Sequence, residues 1–404
     1  MLLTIRKLSP DEILLYVSFT IYFVLSFLST TFYFHYIPDS MYKAGLVLSI
    51  VLVLLRELIV SKYTVQSILS AALTLISVLI IMRVTSNLNL VALGLVFIYC
   101  FRNVTFTKIA NLSLLLSILL LAFVVLSSKV GIIRDHLELT AGGRIRHYLG
   151  FRYSLFAPSA MVNIITLYLF LYKEKIPYIT LILLSIFNFW IFDETSSRLT
   201  FFTGVLLLIF ALFNKLYPQV LPKLKGFLAG FSLTFIFSAL ISYFVSTRYS
   251  VSNALLFTIN SFLGNRIYLA NLSLHKYGFN LLGQKVFWEG NGLDPQGNYT
   301  TITYLYVDNL YIQMLQRYGL LFLILFVILA TLVMFRLLRK NELVTFIIFI
   351  SLGLHALIDD LILYLYFNSF WFVFAILMNN NYRLYSDEDD RIFSLNKRMF
   401  KGKF

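Results

Sequence analysis

Runs of about twenty apolar residues recur along the whole of this chain, and that feature confines it to a helical membrane fold. In hydrocarbon every backbone N–H and C=O must be bonded within the protein, so only helices and closed barrels can cross. A barrel would show alternating segments of about ten residues. The runs here are continuous. Hydrophobic residues make up 59% of the 404 and charged residues 13%, a balance outside that of water-soluble globules. Candidate spans fall at 12–34, 42–60, 65–84, 87–101, 109–130, 157–173, 176–192, 199–214, 227–247, 318–338, 342–359 and 361–379. The expectation is an all-α polytopic protein of about twelve spans, one integral-membrane domain over 1–404, with a cytoplasmic tail at 380–404. The first run is expected to be a span and not a cleaved leader.

Charge sets the orientation. An even count puts both termini on one side, where Arg6, Lys7, Arg383, Arg391, Lys397, Arg398, Lys401 and Lys403 lie. The loops assigned to that side hold Lys62, Arg102, Lys108, Lys173, Lys175, Lys215, Lys223, Lys225, Arg336, Arg339 and Lys340. Basic loops mark the cytoplasmic face. Much of the formal charge of +14 is therefore topological, and nucleic acid is not an expected partner. Cys100 is the one cysteine, so no intramolecular disulfide forms.

The opposite side breaks that pattern. It carries Arg134, Arg144, Arg146, Arg152, Arg198, Arg248, Arg266 and Arg317, against the usual bias. Topology is served equally by Lys and Arg, whereas forked recognition of phosphate favours Arg. Binding of lipid headgroups or snorkelling at the interface is the plainer explanation of such charges. Two long segments hold most of them. The loop 131–156 places glycines beside Arg144, Arg146, His147 and Arg152. The region 248–317 opens on one amphipathic helix that stops at Gly278, continues as a Gly- and Asn-rich loop, and ends in a helix from Asp308. Asp308 is read either as the N-cap of that helix or as a general base. His136, His147 and His355 lie in or near this side, and Asp359-Asp360 reads as a solvated helix boundary. No P-loop, GxSxG, HExxH or Cys/His cluster is present, so no metal site or cofactor is expected.

The pieces RHYLGFRYSLFAPSAMVN, SSRLTFFTGVLLLIF, LGNRIYLANLSLHKYGFNLLGQ and VDNLYIQMLQRYGLLFLILF follow one another in that order, with FNSFWFVFAIL in the last span pair. In order and placement they resemble the integral-membrane polysaccharide polymerases and ligases: the Wzy-type O-antigen and capsule polymerases and the O-antigen ligases. The likeness covers roughly residues 140–380; the first five spans match in hydropathy alone.

The resemblance implies a GT-C-like glycosyltransferase on the outer face of the bacterial cytoplasmic membrane. Its substrate would be an oligosaccharide on undecaprenyl diphosphate, with membrane lipids and a chain-length regulator protein as further partners. Carried over position by position, Arg266 and Arg198 stand with Asp308 as catalytic candidates. Arg144, Arg146, Arg152, His147 and Asn309 stand as substrate-binding ones. Where the family's closing motif has His before Asn, this chain has Asp308 before Asn309, which favours polymerase over ligase. The rival from another class is a transporter or flippase of lipid-linked glycans. Transporters tend to show repeats and mid-membrane charges, whereas Arg56, Glu57 and Arg83 fall toward span ends.

Overall fold

The computed structural model describes residues 9–60, 63–85, 88–139, 143, 145–299 and 304–385. Arg144, Arg6, Lys7 and the basic end of the tail lie outside the described residues. The chain is 71% helical. Its helices run α1 (Pro10–Leu28), α2 (Asp39–Val60), α3 (Val65–Val84), α4 (Leu90–Cys100), α5 (Phe106–Lys129), α6 (Phe156–Tyr172), α7 (Tyr178–Thr195) and α8 (Arg198–Leu216). After two short turns, α9 (Val220–Lys223) and α10 (Lys225–Ala229), come α11 (Thr234–Thr247), α12 (Ala254–Phe262) and α13 (Arg266–Tyr277). The chain closes with α14 (Leu310–Gln313), α15 (Leu320–Arg339), α16 (Leu343–His355) and α17 (Ala375–Met378).

Eight helices among the described residues are long and apolar enough to cross a bilayer: α1, α3, α5, α6 extended to Lys175, α7, α8, Lys225–Thr247 and α15. The protein is a multi-pass α-helical membrane protein. Helix α6 sits at its centre, with 72% of its apolar window buried, while α3 at 17% lies on the periphery. The core beside α6 is aromatic. Phe19 meets Phe97 at 5.9 Å and Phe372 at 5.3 Å, both edge to face, a geometry that the ring quadrupole favours.

Several expected spans differ from the helices found. The run 12–34 outlasts its helix, because Ser29, Thr30 and Thr31 turn their hydroxyls onto the preceding carbonyls and end α1 at Leu28. The pair 342–359 and 361–379 is not two full spans. Helix α16 has 13 residues, and after it the chain runs through short 3-10 turns (Leu361–Leu363, Ser369–Phe374) into α17. Helix α2 has 22 residues but carries Lys43, Arg56 and Glu57. Its inner charges are paired within the bundle. Arg102, 1% exposed, holds Glu57 at 2.5 Å and lies 4.0 Å over the Tyr99 ring. Arg56 reaches Asp11 at 3.8 Å and the Cys100 carbonyl at 3.3 Å.

The two long segments meet at one end of the bundle. Segment 131–156 is not a plain loop: β1 (Leu137–Leu139) and β2 (Ile145–His147) pair as an antiparallel hairpin with Glu138 opposite Arg146. Leu293 N donates to Arg152 O at 2.9 Å, and Arg134 reaches the carbonyls of Gln296 and Gly297. The opposite end gathers Lys108 with Glu12, Lys173 with Glu342, and Thr107 N with Leu384 O, so both described chain ends lie there. In a Cys100→Ala background, Leu139→Cys and Gln296→Cys are therefore expected to be labelled together or spared together by an impermeant maleimide in intact cells. Labelling of one without the other would contradict this packing.

The expected amphipathic helix of the second segment is two helices. Gly264 (φ 66°) and Asn265 (φ 65°) both take left-handed backbone, which breaks the helix between α12 and α13. Buried Asn260 fastens the break, giving Nδ2 to Asn265 Oδ1 and accepting from Tyr268 N. Gly278 ends α13 at φ 60°, as expected from the sequence.

Candidate active site

Four pieces of chain converge where the two segments meet: strand β2, the α7–α8 junction, the α12–α13 break and the approach to α14. They enclose a cavity of about 260 Å³ whose lining includes Arg146, Arg198, Arg266, Asp308, Tyr153 and Tyr304. All three catalytic candidates therefore share one cavity with Arg146.

Each arginine is placed by a local interruption. Helix α7 ends on Ser196 in left-handed backbone (φ 55°), and the chain re-enters helix at once with Arg198 as the first residue of α8. Ser197 ties this corner to the start of α6 through Ser154 O at 3.4 Å. The Arg198 side chain is exposed and has no hydrogen-bond or ion-pair partner among the described residues. Arg266 is the first residue of α13. It donates through Nη1 to Leu263 O at 3.0 Å, and its Nε lies 3.3 Å from Asp308 Oδ2, off the direction of a true hydrogen bond. Arg146 bonds its cross-strand partner Glu138 at 3.2 Å, leaving a buried Nε without an acceptor. No side chain caps α8 or α13 at the N-terminus. Two positive helix ends and three guanidiniums thus face one space, an arrangement that suits an anion.

Asp308 is not the N-cap of α14. That position belongs to Asn309, whose Oδ1 accepts from Ile312 N at 3.1 Å. Both residues cap well, and the chain direction at the helix entry assigns the role to the second of them. Asp308, 5% exposed, is left facing the cavity. Burial pushes its pKa up to about 6; Arg266 works against that shift and Asp359 adds to it. A carboxylate with that pKa is ionised at neutral pH and is a stronger proton acceptor than a solvated one.

The remaining substrate-binding candidates lie elsewhere. Asn309 spends its amide on Ser242 Oγ (2.9 Å) and Leu357 O (3.0 Å), so it positions Asp308 and does not line the cavity. His147 is held by Asp135 at 2.7 Å on the β1–β2 hairpin and lines neither this cavity nor the one beside it. Arg152 lines a second chamber of about 320 Å³, beyond a wall formed by Tyr153, Asn291 and Tyr304. Its Nη atoms donate to the carbonyls of Leu293 and Ser29.

The acid pair is buried, not solvated, with Asp359 and Asp360 each 3% exposed. The turn after α16 folds inward because Asp359 Oδ1 accepts from Leu361 N while Oδ2 meets His355 Nε2 at 3.1 Å. Thr203 reaches His355 Nδ1 at 2.8 Å, which makes that histidine a packed link between α8 and α16. Asp360 accepts from Tyr306 OH at 2.7 Å. Burial, with Asp308 and Asp359 nearby, raises its pKa to about 8. His136 sits against Tyr148 and meets Tyr299 OH at 3.2 Å. Among the described residues, no group of three or more His, Cys, Asp or Glu side chains is placed to hold a metal ion.

Searches of protein-family models, curated proteins and solved structures gave no match to this chain. The site is thus read from its own chemistry. Sequence reasoning passed over Tyr153, Asn291 and Ser196-Ser197. Tyr153 and Ser196-Ser197 stand within the pieces RHYLGFRYSLFAPSAMVN and SSRLTFFTGVLLLIF, whereas Asn291 carried no signal.

Proposed function

We propose that the protein is a polysaccharide polymerase of the Wzy type, a glycosyltransferase acting at the outer face of the bacterial cytoplasmic membrane. The observation that carries the reading is the convergence of Arg146, Arg198 and Arg266 with Asp308 in one cavity. A diphosphate is the anion this cavity fits, because Arg forks match its oxygens and remain charged at any working pH. On this reading the eight long helices, the charge-paired α2 and the three shorter apolar helices make up a GT-C-like set of about twelve membrane segments. The lysine-rich end faces the cytoplasm.

In the proposed reaction, undecaprenyl diphosphate leaves the anomeric carbon of the growing glycan, and the arginines take up the charge that develops as the C–O bond breaks. A hydroxyl of the incoming lipid-linked repeat unit attacks from the opposite face, and its proton passes to Asp308. The new glycosidic bond is inverted relative to the donor. The closely related alternative, ligation to a different acceptor, uses the same groups. Asp308 in place of a histidine is the feature that favours polymerisation.

The purified protein is expected to elongate lipid-linked repeat units with neither nucleotide sugar nor divalent metal added. Polymer length on gels, with and without EDTA, measures this. Activity abolished by EDTA and restored by a metal ion would overturn the arginine-based mechanism.

A further inference from the structure

The second chamber lies on the other side of the Tyr153–Asn291–Tyr304 wall from the arginine cavity, and its chemistry is different. Its one guanidinium, Arg152, is engaged by backbone carbonyls through both Nη atoms. Ser29 and Thr30 turn their hydroxyls back onto Ser26 O and Phe27 O. What remains is hydroxylic and aromatic. The hydroxyls of Tyr153, Tyr304, Tyr364 and Tyr366, and the Asn291 amide, have no hydrogen-bond partner among the described residues. Tyr366 is buried, Tyr153 and Tyr364 are half-buried and Tyr304 is exposed, so their hydroxyls open onto one space and offer a ligand several hydrogen-bonding groups at once.

We infer that this chamber is a saccharide subsite, taking sugar residues whose hydroxyls pair with the tyrosines while ring faces pack on the aromatic walls. The assignment rests on the glycosyl-transfer reading above. Two further features suit it. Asp360, the one acid lining the chamber, is held near neutrality in charge at pH 7, since burial and the neighbouring acids raise its pKa. The volume of about 320 Å³ falls at the low end of small-molecule sites, room for a monosaccharide-sized group. Because the wall is shared, a sugar here lies beside any diphosphate on Arg198 and Arg266. The sugar can come from the donor glycan or from the acceptor.

The test uses the full-length protein in nanodiscs and the double variant Tyr364→Phe/Tyr366→Phe. Both residues line the second chamber only, and phenylalanine keeps their stacked rings. One probe is undecaprenyl diphosphate without sugar. The other is the repeat-unit oligosaccharide released by mild acid from the cells' own lipid-linked glycan. Oligosaccharide affinity is expected to fall about tenfold in the variant, the effect of two lost hydrogen bonds. Binding of sugar-free undecaprenyl diphosphate is expected to stay unchanged, which also shows that the variant is folded. If the loss shows as the extra affinity that sugar lends to undecaprenyl diphosphate, the donor glycan occupies the chamber. If it shows for free oligosaccharide once undecaprenyl diphosphate fills the arginine cavity, the acceptor does. Equal oligosaccharide binding by wild type and variant overturns the subsite and leaves the proposed function standing. A wild-type protein that ignores undecaprenyl diphosphate overturns the glycosyl-transfer reading, and with it this assignment.

Discussion

Asp308→Asn is expected to reduce polymer formation by about 10²–10⁴-fold, the contribution of a general base to proton transfer. The substitution is near-isosteric and leaves the α14 cap intact, because Asn309 makes that bond. It does remove the counter-charge of Arg266, so the variant must be shown to be folded, by an unchanged melting profile and retained binding of sugar-free undecaprenyl diphosphate. The pH profile gives an independent reading. A base must be deprotonated, so the wild-type rate should fall as pH drops through about 6, the raised value that burial gives Asp308. A solvated carboxylate would place that limb near 4. Arg266 holds the Asp308 pKa down, so Arg266→Gln should move the limb of the residual activity upward while Arg266→Lys leaves it in place. Wild-type polymer from a folded Asp308→Asn protein would remove Asp308 from the mechanism and leave the arginines untouched.

Arg198→Lys is expected to cost about a hundredfold in rate, or ~3 kcal/mol of transition-state stabilisation. Arg198 is exposed and has no hydrogen-bond or ion-pair partner among the described residues, so its replacement breaks no side-chain contact described there. Lysine keeps the charge and gives up the planar fork. A loss therefore reports ligand contact and not misfolding. Arg266→Lys should lose a similar amount while keeping the positive charge beside Asp308. Arg146→Lys also weakens the hairpin contact to Glu138 and is the least clean of the three. Single-turnover rates with lipid-linked substrate measure all three. Wild-type rates in both Arg198→Lys and Arg198→Ala would exclude this residue from the reacting diphosphate.

The membrane character of the chain was legible because hydropathy over a span is a sum of many residues, and few local details can overturn it. Of the arginines singled out in the sequence, Arg146, Arg198 and Arg266 do meet in one cavity; each stands out because charged residues are few in so apolar a chain. Details decided by one or two dihedral angles were not. The sequence LGNR reads as a continuous amphipathic stretch, yet Gly264 and Asn265 break it and turn Arg266 into a helix start. Asp308 and Asn309 are equally good caps by type, and backbone direction alone separates them. The Asp359-Asp360 pair looked solvated because adjacent acids usually are; here their partners, His355 and Tyr306, come from 4 and 54 residues away. Tyr153 and Asn291 reach the wall between the chambers through contacts that no short window of sequence contains.

The buried charges of α2 bear on how the chain is built. A segment with Lys43, Arg56 and Glu57 enters a bilayer less readily than its neighbours, since each charge adds up to about 3 kcal/mol to insertion when it lies deep. Its closest compensating partner, Arg102, is 45 residues further along and follows α4. During synthesis the short Arg102–Glu57 pair therefore forms only after two more helices have emerged, and until then Glu57 has only Arg56, 3.8 Å away within α2 itself. The first quarter of the chain, through Arg102, is therefore expected to pack in lipid as a group and not helix by helix.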